Sequence, residues 1–251
     1  MTVSFDDPIA VIADVHGNAD ALRAVLADID QLGITTILNL GDHFSGPLVA
    51  AETAQLLADR DMISISGNHD RWLITQTYED MGISDRAAHD QLGEADLDWL
   101  RGLPATRRLG DQVFMCHGTP YSDTTYWLER VLPDGTVAPN TYAAIAAAAD
   151  GIDCPLILCG HTHLARVVHL EDGRMIVNPG SVGLPAYDDD QPVPHVVASG
   201  SPFARFAVVQ RHARHWRARF HAVPYDTARM TAMAQKGDRP NWARAVSTGW
   251  L

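Results

Sequence analysis

A chain of 251 residues with 46% hydrophobic and 20% charged residues carries enough apolar material for a large core, which excludes disorder and leads us to expect one α/β domain over residues 1–251. Its 19 Lys and Arg against 31 Asp and Glu give a net charge of -12, which speaks against a groove for long nucleic acid. No apolar run approaches bilayer-spanning length and Met1 to Pro8 lacks the basic and apolar regions of a signal peptide, so a cytoplasmic protein with no membrane partner is expected.

Ile9 to Ala13 is a continuous apolar run of the kind that forms a strand buried on both faces, and it ends in Asp14-Val15-His16-Gly17-Asn18. Leu22, Val25, Leu26 and Ile29 then follow helical spacing between a cap at Asn18 or Asp20 and a stop at Gly33. Thr36 to Leu40 is a second strand, ending in Gly41-Asp42-His43, and Pro47 to Asp59 a second helix. Met62 to Ser66 is a third strand, running into Gly67-Asn68-His69-Asp70 and a helix from His69 to Thr77. Three strand–helix units in succession imply a parallel sheet with its strand carboxyl ends on one edge, where ligands collect.

Ser84 to Leu103 reads as two short helices broken at Gly93, serving as packing cover. Val113 to Cys116 is a strand ending in His117-Gly118, after which residues 119–140 lack periodicity and could overhang a site. A helix over Thr141 to Ala149 precedes a fifth apolar run, Leu156 to Cys159, which ends in Gly160-His161-Thr162-His163. Arg166 to Leu170 and Arg174 to Val177 read as a hairpin, followed by the glycine-rich turn Asn178 to Gly183. Asp188 to Asp190 and His195 read as solvated loop, Phe203 to Val209 and Trp216 to Val223 as strands, and the chain from Tyr225 as helical without functional signal. Cys116, Cys154 and Cys159 form no CxxC pair and read as buried thiols.

Five apolar runs thus end in residues that ligate metals: Asp14 with His16, Asp42, Asn68, His117, and His161 with His163. Each pair alone is a common turn; together, without cations, they would bear a desolvation penalty with little return. Seven side chains exceed what one protein-bound transition metal takes, which favours two ions and one bridging residue. Mixed nitrogen and oxygen donors point to manganese first, with iron, zinc, nickel or cobalt as alternatives.

The ordered set D-x-H-G-N, G-D, G-N-H-D, H-G and G-H-T-H resembles the calcineurin-like metallophosphoesterase superfamily from Ile9 to Gly183, and N-P-G-S-V-G at Asn178 resembles its small bacterial and archaeal phosphodiesterase-like branch. The resemblance implies a four-layer α/β/β/α sandwich, its second mixed sheet built from the carboxyl-terminal strands. It implies one metal on Asp14, His16 and His163, another on Asn68, His117 and His161, and Asp42 bridging both. A hydroxide between the metals then attacks phosphorus in line, and His69 protonates the leaving alcohol.

Asp70 either orients that imidazole or serves as a first-turn carboxylate favoured by the helix dipole. Asn18, Arg71 and His43 are candidate substrate contacts, with helix capping, a surface ion pair and a supporting hydrogen bond as their respective alternatives. Protein Ser/Thr phosphatases carry Arg-Gly shortly after G-D where this chain has Phe44-Ser45-Gly46, which leans toward a small phosphodiester over a phosphomonoesterase or protein-phosphatase activity. A non-catalytic metal-binding scaffold is the alternative of a different class, and homo-oligomerisation is left open. A nuclease is a third reading, resting on Arg205, Arg211, Arg214, Arg217 and Arg219.

Overall fold

A computed structural model describes residues 4–213 and 215–251. Arg214 and the first three residues, both part of the sequence reading, lie outside the described residues. The chain opens with β1 (Ile9–Ile12), α1 (Ala19–Gln31), β2 (Thr36–Asn39), α2 (Ala50–Ala58), β3 (Met62–Ser64) and α3 (Asn68–Thr75). Two short helices, α4 (Ile83–His89) and α5 (Glu94–Arg101), lead to β4 (Thr106–Leu109) and β5 (Val113–Cys116). Residues 119–140 contain a hairpin, β6 (Glu129–Val131) with β7 (Val137–Pro139), ahead of α6 (Tyr142–Ala148). Then come β8 (Leu156–Leu158), β9 (Arg166–His169), β10 (Met175–Asn178), β11 (Ala186–Asp189), β12 (His195–Ala198), β13 (Ala204–His212) and β14 (His215–Val223). Two helices, α7 (Ala228–Lys236) and α8 (Pro240–Thr248), close the chain.

Strands β1, β2 and β3 pair in parallel, as successive strand–helix units require. The sheet is wider than that unit: β13 lies antiparallel on β1 and β14 on β13, giving the order β14-β13-β1-β2-β3. The carboxyl-terminal strands therefore extend the first sheet and do not build the second. The second sheet has the order β4-β5-β8-β10-β9, with β5, β8 and β10 parallel and both edges antiparallel.

The apolar run of β1 explains the layering. Ile9, Val11 and Ala13 face an inter-sheet core that also holds Leu38, Leu40, Met115 and Leu158, while Ala10 and Ile12 face the helices of the first sheet. There α1 contributes Leu22, Val25, Leu26 and Ile29, each buried aliphatic side chain stabilising by about 1.5–3 kcal/mol. On the second sheet's outer face Phe114, Ile157 and Ile176 pack against Ile145 of α6 and Trp127. Helices and sheets thus form the four expected layers. A fourth cluster joins α7 and α8 to Leu48, Leu184 and Ala186, so the last helices seal one end of the sandwich.

Candidate active site

Ligand-type residues collect where strands of both sheets end, at the seam between them and not on one sheet's edge alone. The chain makes these turns in an unusual conformation: Asp14 (φ 56°), His16 (φ 51°), Asp42 (φ 57°), His161 (φ 69°) and His163 (φ 58°) all occupy the left-handed region. For residues with a side chain this costs about 1–3 kcal/mol each, and such outliers gather at functional sites. Gly41 and Gly67 are required for the turns to meet. A Cβ on Gly41, at φ 101°, would lie 2.3 Å from Gly67 N, and one on Gly67 would lie 2.2 Å from Asp42 Oδ1. Backbone bonds from Asp14 N–H to Gly41 O and from His16 N–H to Asp42 O, each 3.0 Å, lock the first two turns together.

The side chains form two groups, Asp14 with His16 and His163, all buried, and Asp42 with His117 and His161, of which His161 is partly exposed. His16 Nε2 lies 3.2 Å from His163 Nε2, and His163 Nε2 3.5 Å from Asp14 Oδ1. In the second group His117 Nε2 is 3.2 Å from Asp42 Oδ2, while that same oxygen is 3.8 Å from His16 Nε2. Asp42 Oδ1 accepts the His69 N–H, which leaves Oδ2 facing both groups. His16, His117 and His163 donate Nδ1–H to the carbonyls of Ser45, Leu40 and Leu184, which turns each Nε2 inward.

Several inward atoms have no hydrogen-bond partner although they are fully enclosed: both Asp14 carboxylate oxygens, Asn68 Oδ1, His117 Nε2 and His161 Nε2. Enclosed polar atoms without partners are costly in a folded protein. Oxygen and imidazole donors converging on shared space are the donor set that divalent transition metals take, so these residues fit such ions.

The electrostatics agree with that fit. Burial holds His16 down to about 4 and His161 down to about 3, and holds His163 well below its ordinary value, so all three imidazoles are neutral as ligation requires. Burial also pushes Asp14 up to about 8, with His117 only partly opposing it. In Asp42 burial is overcome by His117, His69 and His16, which hold its carboxyl well below the usual range. His117 goes the other way: burial opposes its charge, but Asp42 and Asp14 raise it to about 10. A cation in place of that proton would satisfy the same two carboxylates.

His69 stands at the edge of this centre with 26% of its side chain exposed, in a cleft of about 1100 Å³. Burial disfavours its imidazolium, yet Asp42, Asp85 and Asp70 together raise it to about 9. Its Nδ1 bonds Asp85 Oδ1 at 2.8 Å, so Asp85 sets its ring, and Asp70 does not. Asp85 was hidden in the segment read as packing cover, since a carboxylate in a helix's first turn is ordinary. Asp70 is buried beneath Asp42, where its carboxylate accepts from the backbone N–H groups of Asp42, His43 and Gly67 and from His43 Nδ1 at 2.8 Å. Its first-turn reading is the one the hydrogen bonds favour.

The three candidate substrate contacts also take their alternatives. Asn18 is buried, caps α1 by accepting from Ala21 N–H, and donates to Gly183 O and Tyr225 Oη, so its polar atoms are used away from the cleft. Arg71 makes a bidentate pair with Asp123 at 2.7 and 2.8 Å, tying α3 to the overhanging segment. His43 is fully enclosed against Trp99 and bonds Asp70, supporting the Asp42 turn from behind.

Residues 119–140 do border the cleft, through Thr124, Tyr126 and Arg130 among others. The loop read as solvated borders it too: Asp188 to Asp190 line the opposite rim, and His195 is buried with Nε2 3.0 Å from Tyr126 Oη. Arg239 and Trp242, from the stretch without functional signal, form another wall. No local pattern marks these residues, because α8 reaches the cleft only through tertiary packing. The three cysteines are free and buried, as expected. Of the late arginines, Arg211 pairs with Asp6 at 2.8 Å, whereas Arg217 and Arg219 are exposed on the edge strand β14. Among the described residues no helix is long and apolar enough to cross a membrane.

This combination of a double mixed sandwich and a converging His/Asp centre defines a metal-dependent phosphoester hydrolase. Residues 8–199 match the calcineurin-like phosphoesterase superfamily domain, and the chain belongs to that family. An uncharacterized protein of Methanocaldococcus jannaschii is 30% identical over 199 residues, covering 70% of this chain and 76% of that one. Among solved structures, a metallophosphoesterase from Sphaerobacter thermophilus is similar with a TM-score of 0.74 at 26% identity, covering 97% of this chain and 100% of that chain. A hypothetical protein from Pyrococcus horikoshii shares the fold with a TM-score of 0.76 at 19% identity, over 96% of this chain and 98% of its own.

Proposed function

We propose that this family member is a dinuclear enzyme that hydrolyses small phosphodiesters in preference to monoesters. The observation that carries the reading is Asp42 Oδ2, which faces His117 at 3.2 Å in one donor group and His16 at 3.8 Å in the other. One oxygen between two sets of inward Nε2 atoms suits a bridging ligand. In this reading Asp14, His16 and His163 hold one cation, Asn68, His117 and His161 the second, and Asp42 both, with manganese the first candidate at each position. When bound, such a pair lowers the pKa of water and neutralises charge on phosphate oxygens.

The chain's own contribution is placement. His69 Nδ1 donates to Asp85, which leaves Nε2–H as the proton for the leaving oxygen. Asp85 is a positioning residue in this scheme, fixing the ring without touching substrate. Asp70 gathers three backbone N–H groups and His43, and so fixes the Asp42 turn. The preference for diesters is supported at Phe44, which is 1% exposed within the helix-side core and brings no charge to the cleft for a monoester's second negative charge. The test is turnover of bis-p-nitrophenyl phosphate beside p-nitrophenyl phosphate, using metal-stripped protein resupplied with manganese, for wild type and His69→Ala. Diester turnover that is lost in the variant is expected. A monoester preference would reassign the enzyme as a phosphatase, and metal binding with no turnover on either would favour the scaffold reading.

A further inference from the structure

Of the two arginines that line the cleft, Arg130 is exposed and Arg239 is the more enclosed. It is the N-cap residue of α8, half-buried, with Pro240 next to it in the first turn. Its guanidinium lies 5.7 Å from the ring of Trp242, and Nη1 donates to Ser84 Oγ at 3.0 Å. Among the described residues Arg239, like Arg130, has no carboxylate within ion-pair distance, whereas Arg71, Arg166 and Arg211 each pair with one and Arg229 with two. Asp188 acts on it only as a nearby charge, and burial lowers its pKa without discharging it. A half-buried cation held by one hydroxyl retains most of its donors for an anion.

Its position relative to the centre is equally informative. The Trp242 ring beneath it is 6.0 Å from the ring of His16, and the residue after Ser84 is Asp85, which holds His69. Arg239 therefore stands on the side of the cleft where His69 would meet the leaving group. At about 1100 Å³ the cleft is far larger than a phosphoryl group requires, and Trp72, Tyr126 and Trp242 give it apolar faces for an organic arm.

Building on the phosphodiesterase reading, we propose that Arg239 binds an anionic group on the leaving-group arm, so that the substrate carries a carboxylate or a second phosphate beyond the scissile ester. The arginine fork grips that group while Trp242 and Ser84 hold the fork in place. Arg239 thereby selects among phosphodiesters by charge at a distance from the reacting phosphorus.

The test measures binding by calorimetry on manganese-loaded protein, so it stands apart from turnover. Alkyl phosphates are compared with ω-carboxyalkyl phosphates and α,ω-alkane bisphosphates of matched length, over about two to six methylenes. At one length or more, wild type should bind a ligand with the second anion about tenfold tighter than its alkyl counterpart. Arg239→Gln should bring that ratio close to one without changing alkyl phosphate affinity, Arg239→Lys should restore part of it, and Ser84→Ala should keep most of it. Which of the two anionic series shows the larger ratio distinguishes carboxylate from phosphate. No preference at any length in wild type, or a preference intact in Arg239→Gln, overturns the inference. Failure of the phosphodiesterase reading would show instead in the turnover assay, as a monoester preference or as silence on bis-p-nitrophenyl phosphate.

Discussion

Asp85 and Asp70 divide between them the work that one carboxylate was expected to do. The sequence places Asp70 beside His69, but in a helix adjacent residues point about 100° apart, and Asp70 turns inward to bond Asp42, His43 and Gly67. Asp85 meets His69 from 16 positions away, 2.8 Å from Nδ1. Two outcomes separate these roles. Asp85→Asn should lower diester turnover by about 10–100-fold while stability and bound metal stay near wild type, since it affects only the ring's orientation and charge. Asp70→Ala strands four buried donors, and in denaturant unfolding with chelator present it should cost about 3–5 kcal/mol. Equal loss of turnover with unchanged stability in both would return Asp70 to the catalytic role. The seven proposed ligands were legible because each follows a strand end within five residues; Asp85, Arg239 and Trp242 were not, because nothing local distinguishes them from helix-surface residues.

At the level of elements, β1 to β3 with their helices could be read from apolar runs and punctuation, since strands buried on both faces leave a continuous signal. The destination of β13 and β14 could not: alternating strands fit either sheet, and only pairing of Ile9 to Val209 decides it. The last helices are held by a network as well as by apolar packing. Glu52 of α2 accepts from Arg229 of α7 and from Arg23 of α1, and these bonds, chiefly that from Arg229, lower it to about 2. A depressed carboxyl contributes stability above its unfolded pKa near 4.5, and loses it as pH falls through about 2. The side chain is 28% exposed, so screening keeps the effect small. Glu52→Gln should therefore destabilise by about 1 kcal/mol or less at pH 7, with the difference closing below pH 4, as thermal unfolding across pH would reveal. A gap that widens on acidification would contradict the assignment.

Across the whole molecule, both sheets deliver donors to one seam, and folding therefore concentrates Asp14, Asp42 and four histidines there, with atoms of Asp14, His117 and His161 left without protein partners. The unpartnered atoms among them, on Asp14, His117 and His161, are what should make stability depend on cations. At about 1,000 times its dissociation constant a ligand specific to the folded state adds about 4 kcal/mol, which for a chain of this size raises Tm by roughly 8–16 °C. Stripped protein should gain on that scale when manganese is added, and Asp42→Asn should gain much less. The central claim is that two cations, sharing Asp42, are needed for hydrolysis. It is tested most directly by titrating stripped protein with manganese while following bound metal and bis-p-nitrophenyl phosphate turnover together. Turnover should rise chiefly as the second equivalent per chain binds and should be lost in Asp42→Asn. Full turnover with a single equivalent, or undiminished turnover in chelator, would contradict the account.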